Sequence, residues 1–190
     1  MPVNEQAYRS WVQGAAELNE REAWPADLFP EAEWQYFQQA GCLVTSLSIM
    51  LRHFGIEPEL DVARFNPWIL NERLIEAGAF TPSADLILED IHKLYPLEYV
   101  GDLPYSRQTL MRLMERGEPF LITVSGVRGA RHFVVPDELT DHDLRIIDPA
   151  WSKPFLSEFD VIHEICVFRV DKPLSRDDAR ALGVVPPARD

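Results

Sequence analysis

The hydrophobic period of the chain changes once, at Gly117, and that change decides which architectures are open to it. Before Gly117, apolar residues recur at helical spacing. After it they gather in short β-branched and aromatic runs separated by turn residues. "CLVTSLSIMLRHFG" sets Leu43, Leu47, Met50, Leu51 and Phe54 on one side, with Gly55 as its stop. Pro58 prevents continuation, and "NPWILNERLIEAGAF" opens a second helix with Pro67 early and Gly78 late. "TPSADLILEDIHKLYP" reads as a third, with Ser83 as N-cap and Pro96 as stop, and Ser106 opens a fourth, "RQTLMRLMERG". The runs "PFLITVSG", "HFVVP", "LRIIDP" and "EICVFRV" then read as antiparallel strands, with "GVRGA" and "ELTDHD" as turns. Helices first and strands afterwards define an α+β fold, with N-terminal helices packed on a C-terminal antiparallel β-sheet.

The flanks are expected to be additions to this body. In residues 1–33, Tyr8, Trp11, Val12, Ala15 and Leu18 have the spacing of a surface helix, and "AWPADLFPEAEW" reads as an ordered loop. The main domain is expected over residues 34–172. Residues 173–190 then give a short helix capped by Ser175 and a proline-rich tail.

Charge and cysteine content narrow the function classes. With 31 acidic and 18 basic residues the formal charge is −13, which argues against nucleic acid or an anionic membrane as the main partner. A basic peptide is compatible with it. The start "MPVNEQAYRS" lacks the basic residues and apolar run of a secretory signal, and no stretch approaches the roughly 20 apolar residues of a membrane span. Two cysteines cannot make a disulfide framework. The expectation is a cytoplasmic protein with reduced thiols, with a specialised export route left open.

Cys42 stands where a loop-like stretch becomes the first core helix, directly after Gly41. It is either a small apolar residue opening a buried helix or a thiol made nucleophilic by the helix N-terminus. A nucleophile needs a base and a group that orients the base. Of the five histidines, His53, His92, His142 and His163 read as structural or solvated. His132 opens the strand "HFVVP" after a glycine-containing loop, where it either fills a half-buried strand or projects toward a cleft. Asp148 ends the next strand in "IIDP". There it either closes an Asp-Pro turn or accepts the second imidazole N–H of His132. Cys166, within "EICVFRV", shares a strand face with Phe168 and Val170, and in that apolar company is expected to be inert.

Taken in order, "AGCLVTSLSIMLRHFGI", "NPWILNERLIEAGAF", "ERGEPFLITV", "RHFVVP" and "IIDP" resemble the papain-like cysteine peptidases. Within these they most resemble the branch related to the bacteriocin-leader-processing peptidases, and the likeness covers roughly residues 34–150. It implies a papain-like fold, with Cys42 as nucleophile, His132 as general base and acid, and Asp148 as the orienting carboxylate. Helix N-terminal N–H groups and an imidazolium would then lower the thiol's pKa. It also implies a glutamine side chain before the cysteine as oxyanion donor. Among Gln35, Gln38 and Gln39 none has the usual spacing, and Gln35 is the nearest candidate.

The activity implied is hydrolysis of peptide or amide bonds through a thioester, on a peptide or protein substrate; amidase or transamidase chemistry would use the same residues. The alternative is a papain-like interaction protein that keeps the fold without activity. No CxxC, HExxH or phosphate-binding glycine loop is present, and neither a metal nor a cofactor is expected. Trp151, after the Asp-Pro, is the expected shield for the Asp148–His132 bond.

Overall fold

The computed structural model describes residues 7–11, 21–59, 61–126, 130–150 and 153–170. A 3-10 turn, Ala7–Ser10, precedes four helices and five strands. The helices are α1 (Phe37–Ala40), α2 (Cys42–His53), α3 (Pro67–Glu76) and α4 (Arg107–Arg116). The strands are β1 (Leu97–Pro104), β2 (Phe120–Ser125), β3 (Arg131–Leu139), β4 (Leu144–Ile147) and β5 (Ile162–Val170). Further 3-10 turns lie at Leu88–Lys93 and Leu156–Glu158. The strands form one antiparallel sheet in the order β1-β5-β2-β3-β4. The α+β class and the antiparallel sheet agree with the sequence reading.

Strand alternation divides the core in two. Leu121, Val135, Ile147, Cys166 and Phe168 face the layer that holds α2 and α3. Phe120, Ile122, Val124, Val134, Ile165 and Val167 face the other side, where α4 contributes Leu110 and Leu113. Burial of this alternating set locks the register, because a slip of one residue would turn every side chain to the wrong face. Helix α2 is more deeply set than a one-sided apolar face requires: every residue from Val44 to Leu51 is buried. Both of its buried serines bond locally or to the sheet. Ser48 donates to the Thr45 carbonyl at 2.7 Å and Ser46 to that of Phe133 at 2.7 Å.

Two elements differ from the sequence reading. The third helix is replaced by a turn and the 3-10 segment Leu88–Lys93. Ser83 does not cap a helix: its hydroxyl donates to Asp85 at 2.6 Å and pairs with Thr81 at 2.8 Å, and Ala84 takes a φ of 63°. Local side-chain bonds here offer the backbone an alternative to the helix. Conversely, "LEYVGDLP" is strand β1, paired along its length with β5 and irregular at Gly101, where φ is 129°. Gly and Pro are tolerated because this is an edge strand, which leaves one hydrogen-bonding side to solvent.

Of the helix expected near the N-terminus, the described part is the 3-10 turn, and residues 12–20 lie outside the described residues, as does the tail from residue 171. The turn docks at the far end of α2 from Cys42. The Tyr8 hydroxyl and His53 Nδ1 are 3.1 Å apart, Arg9 pairs with Asp137 at 2.7 Å, and Trp11 tilts against Phe65.

Candidate active site

The site begins with a steric requirement. Helix α1 is a single turn that folds back so that the Gly41 N–H donates to the Phe37 carbonyl at 2.7 Å. A Cβ on Gly41 would lie 2.5 Å from that oxygen and 2.6 Å from the Phe37 ring. Phe37 cannot retreat, because Trp24 stacks on it at a 6.0 Å centroid distance and both rings are buried. The glycine before the cysteine is therefore there for space. Gly41→Ala is expected to cost about 1–3 kcal/mol, the range for overpacking, read as a lower urea midpoint; an unchanged midpoint would mean that α1 yields freely.

Cys42 is the first residue of α2 and, taken as a residue, is partly exposed. The backbone N–H groups of Phe133, Leu43 and Cys42 itself all favour the thiolate, as a helix N-terminus should. Burial outweighs them and pushes the thiol up to about 11, with the Asp148 charge adding to the rise. The lowered pKa expected from sequence is thus corrected: the resting site holds a protonated thiol. Alkylation by iodoacetamide follows the thiolate fraction, so its rate is expected to climb roughly tenfold per pH unit from 7 to 10 and level off near 11. A plateau already reached by pH 8 would contradict this.

The Phe133 backbone ties α2 to β3. Its carbonyl accepts from Ser46, one helical turn past Cys42, and its N–H favours the Cys42 thiolate electrostatically. The neighbouring residue on β3 is His132, only 3% exposed and opposite Val124 of β2. Strands β3 and β4 pair Val135 with Ile147, which puts Asp148, one residue past the end of β4, within reach of the start of β3. The His132 Nε2 to Asp148 Oδ1 distance is 2.8 Å. A carboxylate only accepts, so Nε2 carries the proton, and in the neutral ring Nδ1 holds the lone pair.

Asp148 also closes its own turn. Its Oδ1 accepts from the Ala150 N–H at 2.9 Å and its Oδ2 from that of Lys153 at 3.4 Å. The two sequence readings of the Asp-Pro step are therefore compatible. Trp151, the expected shield, lies outside the described residues. Phe159 stacks on the His132 ring at 6.3 Å and 30°, and Lys153 Nζ sits 4.2 Å over the Phe159 ring. The sequence reading missed Phe159; its only signal was an aromatic residue shortly before the last strand.

The glutamines separate by role. The Gln35 carbonyl accepts from the N–H groups of Ala23 and Trp24, which fixes the backbone and leaves its side chain half-buried. Gln39 Oε1 accepts the Tyr36 N–H at 3.2 Å at the start of α1, and Gln38 is exposed. Among the other histidines, His92 Nδ1 meets the Glu89 carbonyl, His163 Nε2 pairs with the Ser125 hydroxyl, and His142 is exposed. Cys166 is 2% exposed, and burial together with Asp102 raises its pKa strongly.

Among the described residues no helix is long and apolar enough to cross a membrane, and no group of three or more His, Cys, Asp or Glu is arranged to hold a metal ion. Comparison with models of known families, with curated proteins and with solved structures returns no match.

Proposed function

We propose that the protein is a thiol-dependent acyl-transfer enzyme, a papain-like cysteine peptidase or amidase acting through Cys42, His132 and Asp148. The observation that carries this reading is the buried 2.8 Å bond from His132 to Asp148, on the strand residue next to Phe133, whose carbonyl accepts from Ser46 of the Cys42 helix.

In this reading the site rests as a neutral thiol and imidazole. The Cys42 proton passes to His132 Nδ1 as sulfur bonds to the substrate carbonyl. The imidazolium is held by Asp148, then returns the proton to the leaving amine as the C–N bond breaks. Water, deprotonated by His132, cleaves the thioester and restores the thiol. The developing oxyanion is met by the Cys42 N–H and, in this proposal, by the Gln35 amide. Gln35→Ala should then lower turnover by roughly 10²-fold with little change in stability. Equal activity would remove Gln35 from the site.

The test of the whole reading is mass-spectrometric mapping of a peptide-like, thiol-directed inhibitor on the folded chain. Cys42 should be labelled and Cys166 untouched, and His132→Ala should slow the labelling. Labelling of both thiols alike, or only after denaturation, would favour the interaction-protein alternative.

A further inference from the structure

A cleft of about 350 Å³ opens beside the start of α2, lined by Trp24, Glu31, Glu33, Trp34, Ala40 and the Ser83–Asp85 turn. Ala40 is two residues before Cys42, so at 3.8 Å per Cα step this wall is within about 8 Å of the thiol's backbone. The cleft is at the small end of ligand sites, suited to one side chain rather than a whole metabolite.

Its chemistry is one-sided. Glu31, Glu33 and Asp85 bring three carboxylates, and among the described residues none of them makes an ion pair. Carboxylates in a concave, partly apolar wall concentrate negative potential. Trp34, 49% exposed, offers an aromatic face for a cation. Trp24, 2% exposed, adds a mostly buried aromatic side chain to the lining.

The walls are held in place. The Glu31 N–H donates to the Pro82 carbonyl at 3.2 Å, Trp24 meets Phe80 edge-on, and Ser83 holds one oxygen of Asp85.

We propose that this cleft takes the arginine or lysine side chain of a peptide substrate, within about three residues of the bond that Cys42 attacks. The inference rests on the thiol-enzyme reading and gives it a substrate class, cationic peptides.

The experiment uses a short capped peptide with one arginine and its citrulline counterpart, which keeps the shape and removes the charge. Titrated by tryptophan fluorescence against the full chain carrying Cys42→Ala, the arginine peptide should bind at least about tenfold more tightly, the combined effect expected of several part-exposed charge pairs. Glu33→Gln and Asp85→Asn in that background should each bring the ratio toward one. Equal affinities, no binding of either peptide, or a ratio that both variants leave unmoved overturns the proposal.

The same pair, made as chloromethyl ketones, is then applied to the chain with Cys42 intact. Faster labelling of Cys42 by the arginine probe supports both readings, and equal rates overturn the cleft while leaving the thiol enzyme standing. An arginine preference in binding without labelling of Cys42 by either probe overturns the enzyme and leaves a cation-binding cleft.

Discussion

Cys42→Ala is expected to lower turnover of a cationic peptide by roughly 10⁴-fold or more, with stability changed by no more than about 1 kcal/mol. The two halves of this expectation come from different physics. In the proposed mechanism, turnover depends on a bond that only sulfur makes. The stability depends on packing, and Cys42 is a small, partly exposed residue at the first position of α2, where alanine is the best helix former. Because burial holds the thiol near 11, it is neutral at ordinary pH and its removal changes no charge in the fold. Cys42→Ser is the stricter comparison: it keeps a side-chain acceptor of similar size at this position, but its hydroxyl is harder still to deprotonate and should be equally inactive. Residual turnover of a few per cent in either variant, measured by release of the cleaved amine, would sink Cys42 as nucleophile. A large fall in the unfolding midpoint would instead mark it as a core residue.

Physical scale separates what could be read along the chain from what could not. Helices α2, α3 and α4 announce themselves through local chemistry: the Pro67 start, the Ser106 cap that accepts from the Thr109 N–H, and the left-handed Gly117 stop. Strands β2 to β5 are legible because each carries a run of buried β-branched or aromatic residues. Strand β1 was not, since only Leu97 of its residues is buried and its pairing with β5 is a long-range property that Glu98, Gly101, Asp102 and Pro104 do not advertise. The same holds for Glu57, buried where Tyr95 donates to it at 3.0 Å and Arg73 pairs with it at 3.3 Å, tying α3 to the start of β1.

At the site, the candidates Cys42, His132 and Asp148 could be named from neighbouring residues and from a resemblance. The state of the thiol could not, because helix-end N–H groups are local, whereas the burial that outweighs them is a property of the folded whole. Phe159 escaped for a related reason: nothing in its own segment points to the imidazole of a residue 27 positions earlier, and only the folded sheet stacks them (159 − 132 = 27).

Asp148 carries the second large effect, and its variants should separate orientation from charge. Asp148→Asn keeps an oxygen that accepts the His132 Nε2–H, so the ring stays aimed while the imidazolium loses its counter-charge. Turnover is expected to fall by roughly 10- to 100-fold, with the unfolding midpoint only slightly lowered. Asp148→Ala removes the acceptor for His132 and for the N–H groups of Ala150 and Lys153, in a place where Asp148 itself is 6% exposed and His132 3%. Leaving buried donors unpaired costs about 1–3 kcal/mol, so this variant should lose that stability in urea denaturation and roughly 10³-fold or more of its turnover. The order is the discriminating feature. If asparagine and alanine lower turnover equally while only alanine lowers the midpoint, Asp148 acts through its charge alone. If neither changes turnover and alanine still destabilises, Asp148 merely closes its turn, and His132 is a satisfied core histidine.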